Sequence, residues 1–188
     1  MDAFTRLGMP RRLILREDEL AEVIREASRK AHPDAGGDDQ EFRRVREAGE
    51  ALKEPLSRLR LAIGLAGGEV NARGAVDNEV MDFFSAVAGV LEKVNALIAA
   101  RVAAKSQLGK AMVDAQVPAL KKEVEELIHK LEEIEESIIG RFEQFDAVGW
   151  EASLGEMEAS CRSLSFVVKW QGQLRGATGR LFEVLLGG

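Results

Sequence analysis

Between Leu120 and Phe145 the chain sets Leu120, Val124, Leu127, Leu131, Ile134, Ile138, Phe142 and Phe145 at steps that mostly alternate between four and three, with glutamates and lysines in the gaps. That spacing predicts one long helix with a single apolar stripe, and Pro118 is acceptable in its first turn. A lone helix cannot bury such a stripe, so others must pack against it. Asp77 or Asn78 can cap a preceding helix that carries Val80, Phe83, Phe84, Val87, Val90, Leu91, Val94, Leu97, Ile98 and Val102. Asp146-Ala147-Val148-Gly149 interrupts the pattern before a third helix with Trp150, Leu154, Met157, Cys161, Leu164, Val168, Leu174, Leu181 and Leu185. An antiparallel three-helix bundle over residues 77–188 buries all three stripes. With only four prolines and no alternating strand pattern, the fold class is all-α.

In a chain of 188 residues, 46% apolar and 31% charged content is enough to bury a core and keep a charged surface. Residues 1–65 hold 13 basic and 13 acidic side chains, whereas the rest holds 13 and 19, so the whole net charge of −6 lies in the C-terminal part. An acidic surface disfavours nucleic acid and an anionic membrane as partners and leaves a protein partner. Cys161 is alone, which excludes an internal disulfide and a cysteine metal cluster and fits a reducing compartment; its place on the apolar stripe makes it a buried thiol. The chain begins without a basic segment leading into an apolar one, and no run of eighteen uninterrupted apolar residues occurs, so a cytoplasmic location is expected. Glycines 64, 67, 68 and 74 place a linker at 66–76, between an N-terminal domain at 1–65 and the bundle at 77–188.

In the N-terminal domain, Leu15, Leu20, Val23, Ile24 and Ala27 line one face of a helix whose other face carries Glu22, Arg25, Glu26, Arg29 and Lys30. That helix runs into His32-Pro33-Asp34, and after Ala35-Gly36-Gly37-Asp38-Asp39 a second apolar face resumes with Phe42, Val45, Ala48, Ala51, Leu52 and Leu56. Pro33 turns His32 out of helical geometry, so the tripeptide should form the exposed tip of a helical hairpin. His-Pro-Asp by itself also fits an ordinary turn. Set between two amphipathic helices it resembles the J-domain, the module that stimulates ATP hydrolysis by DnaK-type chaperones. The opening stretch Met1-Asp2-Ala3-Phe4-Thr5-Arg6-Leu7-Gly8-Met9-Pro10, the junction Leu52-Lys53-Glu54-Pro55-Leu56-Ser57-Arg58-Leu59-Arg60-Leu61-Ala62, and Trp150 with Arg162-Ser163-Leu164-Ser165-Phe166 are similar to the HscB family, J-domain co-chaperones of iron–sulfur cluster assembly.

The resemblance implies a J-domain hairpin followed by a client-binding bundle, no cofactor or metal, and no chemistry on the chain itself. It implies that His32, Pro33 and Asp34, with the cations Arg25, Arg29 and Lys30, dock on a DnaK/HscA-type chaperone. It implies that Met81, Phe84 and Phe166 hold a client, the iron–sulfur scaffold protein; core packing is the competing role for each. Some positions depart from the family. Ala31 stands where an aromatic is frequent, Ala35 where a basic residue is frequent, and Gly49 where a bulky residue packs, which should weaken the packing. Met81-Asp82-Phe83-Phe84-Ser85-Ala86-Val87-Ala88-Gly89 lacks most of the charged contacts of the family's first bundle helix. A J-domain co-chaperone for another client is therefore one alternative. A structural protein that pairs as a homodimer through the 120–145 stripe is another. Enzymatic readings fail for want of chemistry: His32 with Asp34 has no nucleophile, His129 lies on a polar face, and no glycine-rich stretch carries a phosphate-binding lysine.

Overall fold

The computed structural model describes residues 1–70 and 74–185, without the side chain of Leu185, so residues 71–73 of the expected linker and the expected core role of Leu185 lie outside the described residues. Among the described residues all regular structure is helical, in agreement with the all-α reading. Two compact units are formed, 1–75 with 139–162, and 76–138 with 163–188.

In the first unit, helix α1 (Ala3–Leu7) is capped by Asp2, whose carboxylate accepts from the Thr5 amide at 3.1 Å. It ends at Gly8, held at a left-handed φ of 65° that glycine adopts without steric cost. Helices α2 (Glu17–Ala31) and α3 (Asp39–Lys53) form the hairpin, and Asp38 caps α3 by accepting from the Glu41 amide at 3.0 Å. Phe4, Leu7, Leu20, Val45 and Leu52 are buried between α1, α2 and α3, each contributing roughly 1.5–3 kcal/mol by leaving water. Gly49 leaves no void, because the Ile24 side chain lies over it, within 3.3 Å of where a Cβ would sit. The absent bulky residue is thus replaced from the facing helix.

The second apolar run does not continue as one helix through Leu56. Pro55 cannot supply an amide to α3, so the chain bends at Glu54 and α4 (Pro55–Leu65) starts with the proline at its first position. The carbonyl of Leu52, near the end of α3, accepts instead from the Arg58 guanidinium. Arg58 is itself buried; burial pushes its pKa down, against the pull of Asp146, Glu17 and Glu54.

The helix expected over 120–145 is divided. Helix α7 (Val117–Gly140) ends at a glycine, and after Arg141 a separate helix, α8 (Phe142–Val148), begins. Asp146 of α8 accepts from the backbone amides of Leu13 and Ile14 at 2.9 and 3.0 Å, and from the Trp150 indole at 2.9 Å, while Trp150 packs on Phe4 with ring centroids 5.9 Å apart. The extended segment before α2 is thereby tied to α8. Trp150 precedes the last helix, α9 (Leu154–Leu185). The described part of 66–76 is laid along the start of α9: the Glu69 amide donates to Glu158 at 3.3 Å, and Arg162 Nε donates to the Ala75 carbonyl at 2.9 Å.

The second unit contains α5 (Asn78–Ala103), most of α7 and most of α9, with a short helix α6 (Gln107–Asp114) that the sequence reading did not anticipate. Ser106 caps α6, accepting from the Gly109 amide at 3.0 Å. Helix direction follows from the cross-links. Gln171 and Arg175 bond Glu135 and Glu132, so α7 runs against α9, and Lys93 pairs with Glu123 across α5 and α7. Phe84 meets Trp170 and Asn95 meets Arg180, so α5 and α9 run together. The stripe from Leu120 to Phe145 is buried throughout. Used up inside the chain, it cannot pair two copies. Three expected core positions prove exposed: Phe84, Val102 and Val168, with the neighbouring Val167 taking the buried place on α9.

Candidate functional site

The geometry of 32–37 follows from Pro33. His32 stands at φ −67° and ψ 135°, the extended form favoured before proline, and Pro33–Ala35 make one 3-10 turn. The Asp34 amide donates to His32 Nδ1 at 3.1 Å, which makes Nδ1 an acceptor and leaves Nε2 as the N–H side of the neutral ring. The His32 carbonyl accepts from the amides of Ala35 at 2.9 Å and Gly37 at 3.0 Å. Gly36 has a left-handed φ of 83°. A Cβ on Gly37 would lie 2.2 Å from the Ala31 carbonyl oxygen, so only glycine permits the chain to close this tightly. The imidazole is steadied by Phe42, edge-on at 5.1 Å, while the Asp34 carboxylate is 93% exposed. The loop thus presents a half-exposed imidazole, a proline ring and an exposed carboxylate, 3.7 Å from the imidazole, on a hydrogen-bonded backbone.

Beside it, Arg29 joins Ser28, His32, Asp34, Ala35 and Phe42 around an open recess. Arg25 pairs with Glu22, and Lys30 lies 3.9 Å from Glu26, so two of the three expected docking cations share their charge with carboxylates one turn away. Exposed pairs of this kind are worth under about 1 kcal/mol and are screened by salt.

In the second unit the three expected client residues have different settings. Met81 and Phe84 are 55% and 58% exposed and one turn apart on α5. Phe166 is half-buried on α9. Trp170, which the sequence reading did not single out, lies 6.3 Å from Phe84 and 5.6 Å from Phe166 and brings the two helices to one aromatic cluster. Its signal was available only in the pairing of α5 with α9. Among the described residues no three His, Cys, Asp or Glu side chains converge on a metal-sized site.

A hairpin with an exposed His-Pro-Asp tip, in a chain that also forms a helical bundle, is the arrangement that the resemblance to HscB-type J-domain proteins implies, and comparison with known proteins bears out that resemblance. The chain is 38% identical over 76 residues to the co-chaperone protein HscB of Proteus mirabilis (strain HI4320), a match that covers 36% of this chain and 44% of the length of that relative. Its fold matches that of the chaperone HscB from Vibrio cholerae with a TM-score of 0.59 and 20% identity, over 96% of this chain and 99% of that one. No family model matches.

Proposed function

We propose that this chain is a co-chaperone that docks through His32, Pro33 and Asp34 on a DnaK/HscA-type chaperone, stimulates its ATPase and delivers a client, the iron–sulfur scaffold protein. The observation that carries this reading is the loop itself: three side chains with no role in the core, displayed on a backbone that is rigidly hydrogen-bonded. Residues 1–65 would serve the chaperone and residues 77–188 the client. The loop acts by binding one state of the chaperone better than the other, since only such a difference can shift the equilibrium towards hydrolysis. Arg29, which has no ion-pair partner among the described residues, adds charge attraction beside the loop, with Arg25 and Lys30 contributing less because of their neighbours. Met81, Phe84 and Phe166 form the apolar contact for the client, and Trp170 sets their spacing.

The test is single-turnover ATP hydrolysis by the chaperone with the full chain added. Stimulation that disappears in His32→Gln, with helical content unchanged, is expected; equal stimulation by His32→Gln would overturn the reading. A client other than the iron–sulfur scaffold is favoured by one feature, the alanine, serine and glycine at positions 85, 86, 88 and 89 of α5. It predicts stimulation that the scaffold does not increase.

A further inference from the structure

Helix α5 is apolar far beyond what its bundle uses. It is long and apolar enough, by length and composition, to cross a membrane, yet only Val80, Val87, Val90, Val94 and Leu97 along it are buried. Its exposed surface carries Ala86, Ala88, Ala96, Ala99, Ala100 and Ala103, with the charged Glu92 and Lys93 among them, between two groups of larger apolar side chains. At the first end are Met81 and Phe84. At the other, Val102 near the end of α5, about 30 Å from the first group at 1.5 Å per residue, is 82% exposed, and Leu108 and Met112 on the neighbouring α6 are 73% and 65% exposed.

The two ends differ in charge. Residues 77–92 contain four acidic side chains and no basic one, and residues 101–122 contain five basic and one acidic. Arg101 spends its charge on Asp114 at 2.6 Å, and Lys121 and Lys122 face Glu125 and Glu126. Glu79 and Asp82 at the first end, and Lys105 and Lys110 at the second, have no ion-pair partner among the described residues.

We infer that this face binds a second copy of the chain, with the two α5 helices antiparallel. A two-fold arrangement is self-complementary when each end matches the opposite end, and here acidic with apolar meets basic with apolar twice over. The alanines between allow the helix backbones to approach closely, and pairing covers an apolar surface that water disfavours. The consequence, which rests on the proposed client role of Met81 and Phe84, is that a dimer covers the client contact and a client must displace the second copy.

The test measures mass in solution for the full chain, without chaperone or client, so its outcome is independent of the ATPase result. A mass twice the chain's 20.6 kDa is expected at low salt, falling towards the monomer as salt rises. The doubly reversed variants Lys105→Glu with Lys110→Glu, and Glu79→Lys with Asp82→Lys, change only exposed or half-exposed side chains. Each should weaken self-association by about tenfold or more, from the loss of close charge pairs. Mixed one to one they should associate again, because reversed ends then meet opposite charge at both contacts. A monomer at all concentrations, or a dimer indifferent to both reversals, would overturn the inference. So would binding of the monomer to anionic vesicles that is lost in the lysine variant, which would assign the basic end to a lipid surface.

Discussion

The loop at 32–37 and the outer face of α5 both present side chains to solvent, but they differ in how much backbone depends on them. In the loop, Pro33 sets the conformation of His32, the His32 carbonyl takes two amides, and Gly37 fits against Ala31 only because it has no Cβ. On α5 no single exposed residue sets the backbone; Met81 and Phe84 could change and the helix would persist. Function built into a turn leaves a short, ordered motif in the sequence. Function spread over a helix face leaves only composition.

Mutations that separate backbone from surface should break this contrast if it is wrong. Leu131→Ala, at a fully buried position of α7, should cost about 2–5 kcal/mol in denaturant unfolding. While the variant stays folded at the assay temperature, stimulation of the chaperone without client should persist. Gly37→Ala forces the loop open by its clash with the Ala31 carbonyl, at a cost on the order of 1–3 kcal/mol. It should abolish stimulation even though His32, Pro33 and Asp34 are all present, and faster amide exchange confined to 32–38 would show why. Arg58→Met removes the donor to the Leu52 carbonyl and should cost about 1–3 kcal/mol, because the buried acceptor loses its partner.

The smallest effect concerns α1 and is pH-dependent. Burial disfavours the Asp2 carboxylate, but hydrogen bonds from the Arg11 guanidinium and from the amide and hydroxyl of Thr5, with the Arg11 charge, hold its pKa well below the ordinary range. A lowered folded value means its contribution is complete above the unfolded value of about 3.9 and is lost as pH falls through the folded value. Asp2→Ala should therefore cost about 1 kcal/mol near neutral pH, with the difference from wild type shrinking in strong acid. Unfolding curves at several pH values would check this.

Much of the fold was legible because its stripes are regular. The burial of Leu120 to Phe145 follows from spacing alone, and the hairpin follows from two amphipathic patterns around a proline. What escaped depends on backbone detail or on partners distant in the chain. Gly140 ends α7 although the apolar stripe runs on to Phe145, since periodicity reports which face is buried and says nothing of where a helix stops. Helix α6 has no buried residue, so it leaves no stripe to read. Phe84, Val102 and Val168 are apolar but exposed, and an apolar letter cannot reveal whether its surface is turned towards this chain or away from it. The loop residues were legible for the opposite reason, that their order in the chain is also their order in space. Trp170 became meaningful only with Phe84 and Phe166 beside it.

The proposed division between a chaperone-facing loop and a client-facing helix is tested most directly by single-turnover ATPase rates for wild type, His32→Gln and Phe84→Ser, each with and without the iron–sulfur scaffold. The account predicts that His32→Gln loses stimulation under both conditions, while Phe84→Ser keeps the basal stimulation and loses the increase due to the scaffold. Equal loss of both effects in both variants would contradict it, because the two regions would then not act as separate contacts.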